Sequence, residues 1–78
     1  MIEKKDFYES LGMKIREIRE ERGYKKRNDF CLRLVDEGLD IRDDTYGKYE
    51  NGSRPIPAYI LAIAAKVLKV KIDDIIPH

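Results

Sequence analysis

The side chains best suited to recognising a partner lie in one short segment, residues 43–52, which reads Asp-Asp-Thr-Tyr-Gly-Lys-Tyr-Glu-Asn-Gly. Tyr46 and Tyr49 are three residues apart, so in a helix they share one face and can pack against the rest of the chain. The carboxylates, the hydroxyl and the ammonium group then lie on the other face, where they can donate and accept hydrogen bonds. Glycine at position 52 ends such a helix without strain. The segment therefore predicts a short helix that is anchored on one side and free on the other.

The chain offers few groups for catalysis or metal binding. It contains one cysteine, Cys31, and one histidine, His78, so neither a metal cluster nor a disulfide framework can form within one chain. The sequence has no glycine-rich phosphate loop and no recognisable pair of catalytic carboxylates. Cys31 is better explained as a small core residue than as a reactive thiol. We therefore expect a protein that is not an enzyme and that needs neither cofactor nor metal.

Length and hydropathy indicate a small soluble protein. A chain of 78 residues is expected to form a single domain, residues 1–78, with one modest core and no deep substrate cavity. No apolar run in it approaches the roughly 18 residues of a membrane span. The N-terminus is charged and has no signal sequence. These features predict a cytoplasmic protein without a membrane partner.

Charge is abundant but nearly balanced, since 40% of the residues are charged and the net charge is +1. Such a balance does not mark a nucleic-acid binder, so the distribution of charge matters more than the total. Residues 22–27 are rich in arginine and lysine, and residues 36–44 are rich in aspartate and glutamate. The simplest explanation is that both runs are solvated surfaces.

Apolar residues recur at helical spacing along the whole chain, with no strand-like alternation and no repeat. The expected elements and their buried residues are helix 1 (6–22; Phe7, Leu11, Ile15, Ile18), helix 2 (29–37; Phe30, Cys31, Leu34), helix 3 (within 43–52), helix 4 (58–69; Leu61, Ala64, Ala65, Leu68) and a short helix 5 (73–76). The fold class is all-α.

Helix starts are predicted from capping residues. Asp6 with Glu9 has capping-box spacing, although residues 2–5 can extend helix 1 backwards. Asn28 is expected to cap helix 2, and Asp43 or Asp44 to cap helix 3.

Several blocks of the sequence resemble the lambda-repressor-like helix-turn-helix family, of the phage-repressor, Cro and XRE type. They are Leu11-Gly12, Ile15-Arg16, Ile18-Arg19, Arg22-Gly23, Phe30, Tyr46 to Gly52, and residues 63–76. The most specific are Tyr-Glu-Asn-Gly at 49–52 and the closing block 63–76. The resemblance covers about residues 10–76 and leaves residues 1–9 as an N-terminal extension of helix 1. It implies a compact five-helix domain in which helices 2 and 3 form the helix-turn-helix motif and helix 3 lies in the major groove of double-stranded DNA.

The resemblance also implies candidate contact residues. Base-facing candidates are Asp43, Asp44, Thr45, Gly47 and Lys48. Phosphate-contacting candidates are Lys25, Lys26, Arg27 and Asn28 at the start of helix 2, with Asn51, Ser53 and Arg54 after helix 3. Capping is an equally good explanation for the two aspartates, because an acid is repelled by phosphates. Glu50 is expected to be structural, in an ion pair with a helix 1 arginine such as Arg19.

Two departures from the family pattern affect the motif. Lys26-Arg27 and Asp43-Asp44 replace the usual glutamine and small polar residues, so base preference cannot be transferred. The link from Leu34 to Tyr46 is about five residues longer than usual, so either helix 2 is extended or the turn is expanded.

Within a helix, Gly47 costs about 1 kcal/mol relative to alanine. Either close approach of the helix to DNA or tight packing against a neighbouring helix can offset this cost.

The leading hypothesis is a sequence-specific, repressor-like transcriptional regulator that binds double-stranded DNA as a homodimer and has no small-molecule effector. Dimer contacts are expected from residues 72–77 or from Ile2, Phe7 and Tyr8. The alternative is a protein-interaction module or antitoxin-type partner that keeps the fold with weak or no DNA binding. The near-neutral charge and the aspartates at the start of helix 3 favour that alternative.

Overall fold

The computed structural model describes residues 3–77, and these residues fold into five α-helices without any β-strand. The helices are α1 (Lys4–Glu21), α2 (Arg27–Asp36), α3 (Asp43–Glu50), α4 (Ala58–Leu68) and α5 (Ile72–Ile75). The predicted all-α, five-helix architecture is confirmed. Across residues 3–77, no helix combines the length and the apolar character needed to cross a membrane.

The core lies where α3 packs against α1 and α2, and α4 extends it towards α5. The rings of Tyr24, Phe30 and Tyr46 form its aromatic part, with centroids 5.3 Å apart for Tyr24 and Phe30 and 5.7 Å apart for Phe30 and Tyr46. The core residues predicted from periodicity are buried, except that Phe7 is only partly buried. Ile56 and Ile60 are buried as well. The apolar spacing therefore predicted which faces of the helices point inward.

Several predicted helix ends are wrong by one to three residues. The N-cap residues of α1, α2 and α3 are Glu3, Lys26 and Arg42, and none of them makes a side-chain capping bond. The residues expected to be caps lie inside the helices instead: Asp6, Asn28, Asp43 and Asp44. At the other end of the chain, Lys69 is the left-handed C-cap of α4 and α5 runs from Ile72 to Ile75. Lys71 precedes α5, and its backbone N–H donates to the Asp74 carboxylate at 3.1 Å.

The unusually long link between the two motif helices is an expanded turn, because α2 ends at Asp36 and α3 begins at Asp43. Leu39 anchors this turn: its side chain is buried in the core, and its N–H donates to the Leu34 carbonyl at 3.2 Å. Ile41 is partly buried against the same core. Leu39 and Ile41 thus hold the turn against the core, and this fixes the direction in which the chain enters α3.

The helices α1 and α3 approach closely at Gly12. A Cβ atom at this position would overlap the backbone carbonyl oxygen of Glu50 and would lie 2.6 Å from that of Tyr49. Backbone atoms cannot turn aside as a flexible side chain can. The contact between the two helices therefore requires glycine.

We predict that Gly12→Ala lowers the free energy of unfolding by about 1–3 kcal/mol through overpacking, even though alanine favours helix by about 1 kcal/mol. Ser10→Ala is the control, because Ser10 is exposed on the same helix and should change stability by less than about 0.5 kcal/mol. Urea unfolding curves measure both. Equal stability of the two variants would show that α1 and α3 are not in contact at Gly12.

The ring of Tyr46, rather than its hydroxyl, should be what stabilises the core. The side chain is fully buried, and among the described residues its hydroxyl has no hydrogen-bond partner of good geometry. Burial, followed by the charge of Glu50, raises the pKa of Tyr46.

We predict that Tyr46→Phe changes the free energy of unfolding by no more than about 1 kcal/mol, whereas Tyr46→Ala costs about 3–5 kcal/mol. A large loss in the phenylalanine variant, measured by urea unfolding, would contradict this assignment.

Candidate nucleic-acid interface

A buried ion pair fastens α3 to α1. The Nε atom of Arg19 donates to the Glu50 carboxylate at 2.6 Å, and its Nη2 donates to the other carboxylate oxygen at 3.1 Å. The side chains of Arg19 and Glu50 are only 6% and 8% exposed. Burial alone would lower the pKa of Arg19, but the bonded Glu50 outweighs it and the pKa is raised. The predicted structural role of Glu50 is confirmed.

The same arginine also fixes the turn that leads into α2. Its Nη1 donates to the carbonyl oxygens of Tyr24 and Lys25, at 2.7 and 2.9 Å. The basic residues that follow this turn are therefore held at a defined position beside the end of α3. Lys25, Lys26, Arg27 and Asn28 are all exposed there. Lys26 is the N-cap of α2, and Asn28 lies within its first turn. The backbone N–H groups at the start of this helix, which have no partner within the helix, therefore lie beside two lysines, Lys25 and Lys26.

The outer face of α3 presents fewer residues than the sequence suggested. Asp44 and Lys48 are exposed and Thr45 is partly exposed, whereas Tyr46 and Tyr49 are buried as predicted. The Asp44 carboxylate accepts a hydrogen bond from the Thr45 N–H at 2.8 Å. An acid in the first turn is favoured by the positive end of the helix.

Gly47 does not lie on this open face, which corrects the expectation from sequence. It is buried beneath the guanidinium of Arg27, and a Cβ atom here would overlap Nη1 and lie 2.8 Å from Cζ. Of the two explanations for a glycine within α3, packing against a neighbouring helix is therefore the one observed. The neighbour is a side chain of α2 and not backbone.

The same arginine, Arg27, forms an ion pair with Asp43. The Nε of Arg27 donates to Oδ1 of Asp43 at 3.1 Å and its Nη2 donates to Oδ2 at 2.8 Å. The hydrogen bond from Arg27 is the main cause of the lowered pKa of Asp43. Asp43 is thus neither the N-cap of α3 nor a free acceptor. The sequence could not show this pairing, because Arg27 and Asp43 meet only through the angle between α2 and α3.

The turn after α3 folds back onto the end of that helix. Gly52 has a φ of +79° and lies against the backbone of Glu9 in α1, so glycine is needed there for both conformation and space. The Asn51 side chain accepts a hydrogen bond from the Ser53 N–H at 2.8 Å, and the Arg54 N–H donates to the Lys48 carbonyl at 3.2 Å. Asn51, Ser53 and Arg54 are exposed on this ordered turn.

An open depression of about 310 Å³ lies between the start of α2 and the turn after α3. It is lined by Arg16, Arg19, Arg27, Gly47, Glu50 and Asn51. Arg16 was not singled out as a site residue from the sequence. It pairs with Glu20 at 3.1 Å on the exposed side of α1. Only the packing of α1 beside α3 brings it to this surface.

The structure offers no alternative centre for metal chemistry. Within residues 3–77, no group of three or more histidine, cysteine, aspartate or glutamate side chains could hold a metal ion. His78 lies outside the described residues. Cys31 is buried, and burial raises the pKa of its thiol, to which the charge of Asp43 adds. Both observations agree with a core role for this cysteine.

The geometry is that of a helix-turn-helix protein: two helices joined by a turn, the second held by buried contacts with one face left open. A family model described as Helix-turn-helix matches residues 15–75 of the 78-residue chain. No curated protein and no solved structure matches the chain significantly. The chain belongs to this helix-turn-helix family, of the lambda-repressor-like type. The family consists of DNA-binding regulators and is generally non-enzymatic.

We predict that Glu50→Gln destabilises the protein by about 3–5 kcal/mol, because it leaves the buried Arg19 without its counter-charge. Glu17→Gln is the matched control. Glu17 pairs with Lys14 at 3.8 Å, but both side chains are about half exposed, so its loss should cost less than about 0.5 kcal/mol. Thermal and urea unfolding measure the difference. Similar stability of the two variants would mean that Glu50 does not hold α3.

Proposed function

We propose that the protein is a repressor-like transcriptional regulator that binds double-stranded DNA sequence-specifically as a homodimer, with α3 in the major groove. The observation that carries the proposal is the fixed, open face of α3 between two exposed basic turns. The major groove is about 12 Å wide and admits one helix. A helix held rigidly on its inner side can insert its outer side without reorganisation.

On this proposal the outer face of α3 reads base edges. Lys48 can donate to guanine O6 and N7, Thr45 can contact a thymine methyl group or a phosphate, and Asp44 can accept from cytosine N4. Gly47 is left out of the reading set because Arg27 covers it. Asp43 is also left out, because it is paired with Arg27.

The proposed phosphate contacts flank this helix. One set is the start of α2, where Lys25, Lys26, Arg27 and Asn28 surround the helix N-terminus. The other set is the turn after α3, with Asn51, Ser53 and Arg54. Contacts on both sides of the helix would set its register along the groove. If a dimer neutralises about four to six phosphates, the logarithm of affinity falls against the logarithm of salt concentration with a slope of about −4 to −5.

A dimer is proposed because the described residues form a body of only 37 × 22 × 21 Å. One such module spans about one half-site, and two half-sites about 34 Å apart multiply the specificity. The end of the domain around α5 is the better candidate for dimer contacts, because Met13 and Ile72 expose 61% and 41% of their surface. Phe7 and Tyr8 instead pack edge to face against each other and against the core. Ile2, the remaining candidate, lies outside the described residues.

The test begins with selection of bound duplexes from a random DNA pool, followed by affinity measurements on the selected site by fluorescence anisotropy. We expect Lys26→Glu and Arg54→Glu each to weaken binding by at least about tenfold at low salt, since each reverses a charge at a phosphate contact. Lys69→Glu is the control, because Lys69 lies exposed between α4 and α5. Native mass spectrometry should find two chains per selected site.

Undiminished binding by both interface variants, or a wild-type protein that selects no sequence, would overturn the proposal. The protein-interaction module would then be the better explanation of the fold.

A further inference from the structure

Arg27 is the first residue of α2, and its guanidinium is held in one orientation across the start of α3. Two of its five N–H groups, on Nε and Nη2, are bonded to the two carboxylate oxygens of Asp43. Its Nη1 makes no hydrogen bond to any described residue and lies over Gly47. The edge formed by Nη1 and the second N–H of Nη2 is therefore left unused.

Gly47 allows this orientation. A side chain at position 47 would meet the guanidinium at Nη1 and Cζ, with Nε only 3.3 Å away. The glycine therefore leaves room for the guanidinium beside α3, one turn beyond the residue to which it is bonded. From there Arg27 lines the open depression beside the outer face of the helix.

The ion pair contributes little to folding. The side chains of Arg27 and Asp43 are 43% and 37% exposed, and exposed pairs contribute about 0–1 kcal/mol. The stability of the fold does not explain why an arginine, an aspartate and a helix-weakening glycine meet at this point. Arg27 and Asp43 are the first residues of α2 and α3, the two helices of the motif.

We propose that Arg27 is a specificity-determining residue that reads a guanine, and that Asp43 is a positioning residue that holds it. The free edge of the guanidinium carries two parallel N–H donors, which match the O6 and N7 acceptors of guanine in the major groove. Asp43 favours the orientation of Arg27 in which this edge lines the open depression beside α3, and this lowers the entropy that the arginine loses on binding. The pairing also neutralises a carboxylate that phosphates would otherwise repel. This inference rests on the proposed function, changes Arg27 from a phosphate contact to a base contact, and gives Asp43 a role.

The test compares guanine preference in single variants on the selected operator. Replacement of the proposed guanine by 7-deazaguanine removes the N7 acceptor, and we expect it to weaken wild-type binding about tenfold. Asp43→Asn and Arg27→Ala should each reduce that loss to less than about threefold. Asp43→Asn removes a negative charge, so the affinity of this variant for non-specific duplex should stay equal or rise. A smaller 7-deazaguanine penalty together with undiminished non-specific affinity would show that Asp43 positions Arg27 and does not merely repel DNA.

Asp29→Asn is the matched control, since Asp29 is exposed in the first turn of α2 and its replacement changes the charge by the same amount. It should keep the full penalty for 7-deazaguanine. The double variant Arg27→Ala with Asp43→Asn should lose no more guanine preference than Arg27→Ala alone. Thermal unfolding confirms that every variant is folded.

The inference is overturned if Asp43→Asn retains the wild-type penalty at every guanine of the site, or if Arg27→Ala does. In either case sequence-specific binding itself would survive, and only the roles of Arg27 and Asp43 would be wrong. A wild-type protein that binds no duplex would overturn both this inference and the proposed function.

Discussion

The buried ion pair between Arg19 and Glu50 is the constraint on which the rest of the structure depends. One guanidinium is bonded both to the last residue of α3 and to the backbone that leads into α2. Because buried ion pairs often contribute no more net stability than apolar residues would, we assign this pair a geometric role. It is satisfied in a single arrangement of α1, α2 and α3, and that arrangement leaves one face of α3 open.

The net charge of the chain is a poor guide to the charge of this face. Asp43, the first residue of α3, is paired with Arg27. Several basic groups around α3 make no ion pair within the described residues: Lys25, Lys26, Lys48 and Arg54. A near-neutral protein can therefore present a basic surface locally, and this weakens the charge argument for a pure interaction module. The geometry and the local charge point to the same face.

The sequence predicted most of the fold and part of the site, for physical reasons that differ. Apolar spacing located the buried faces, because helical periodicity is a local property. The ends of the helices were less predictable: Asn28 looked like a cap, yet the chain already becomes helical at Arg27 without any side-chain capping bond. The roles of Asp43 and Gly47 depend on how α2 crosses α3. That angle is set by the expanded turn and its anchor at Leu39, which no local pattern reveals.

The most direct test of the central claim is the pattern of backbone amide shifts in two-dimensional NMR spectra of the wild-type protein as its selected duplex is added. If α3 enters the major groove, the largest changes fall on Asp44, Thr45 and Lys48, with further changes at residues 25–28 and 51–54. Amides of α4 and α5 away from any dimer contact should change little. Large changes confined to α4 and α5, with the amides of α3 unmoved, would contradict the account.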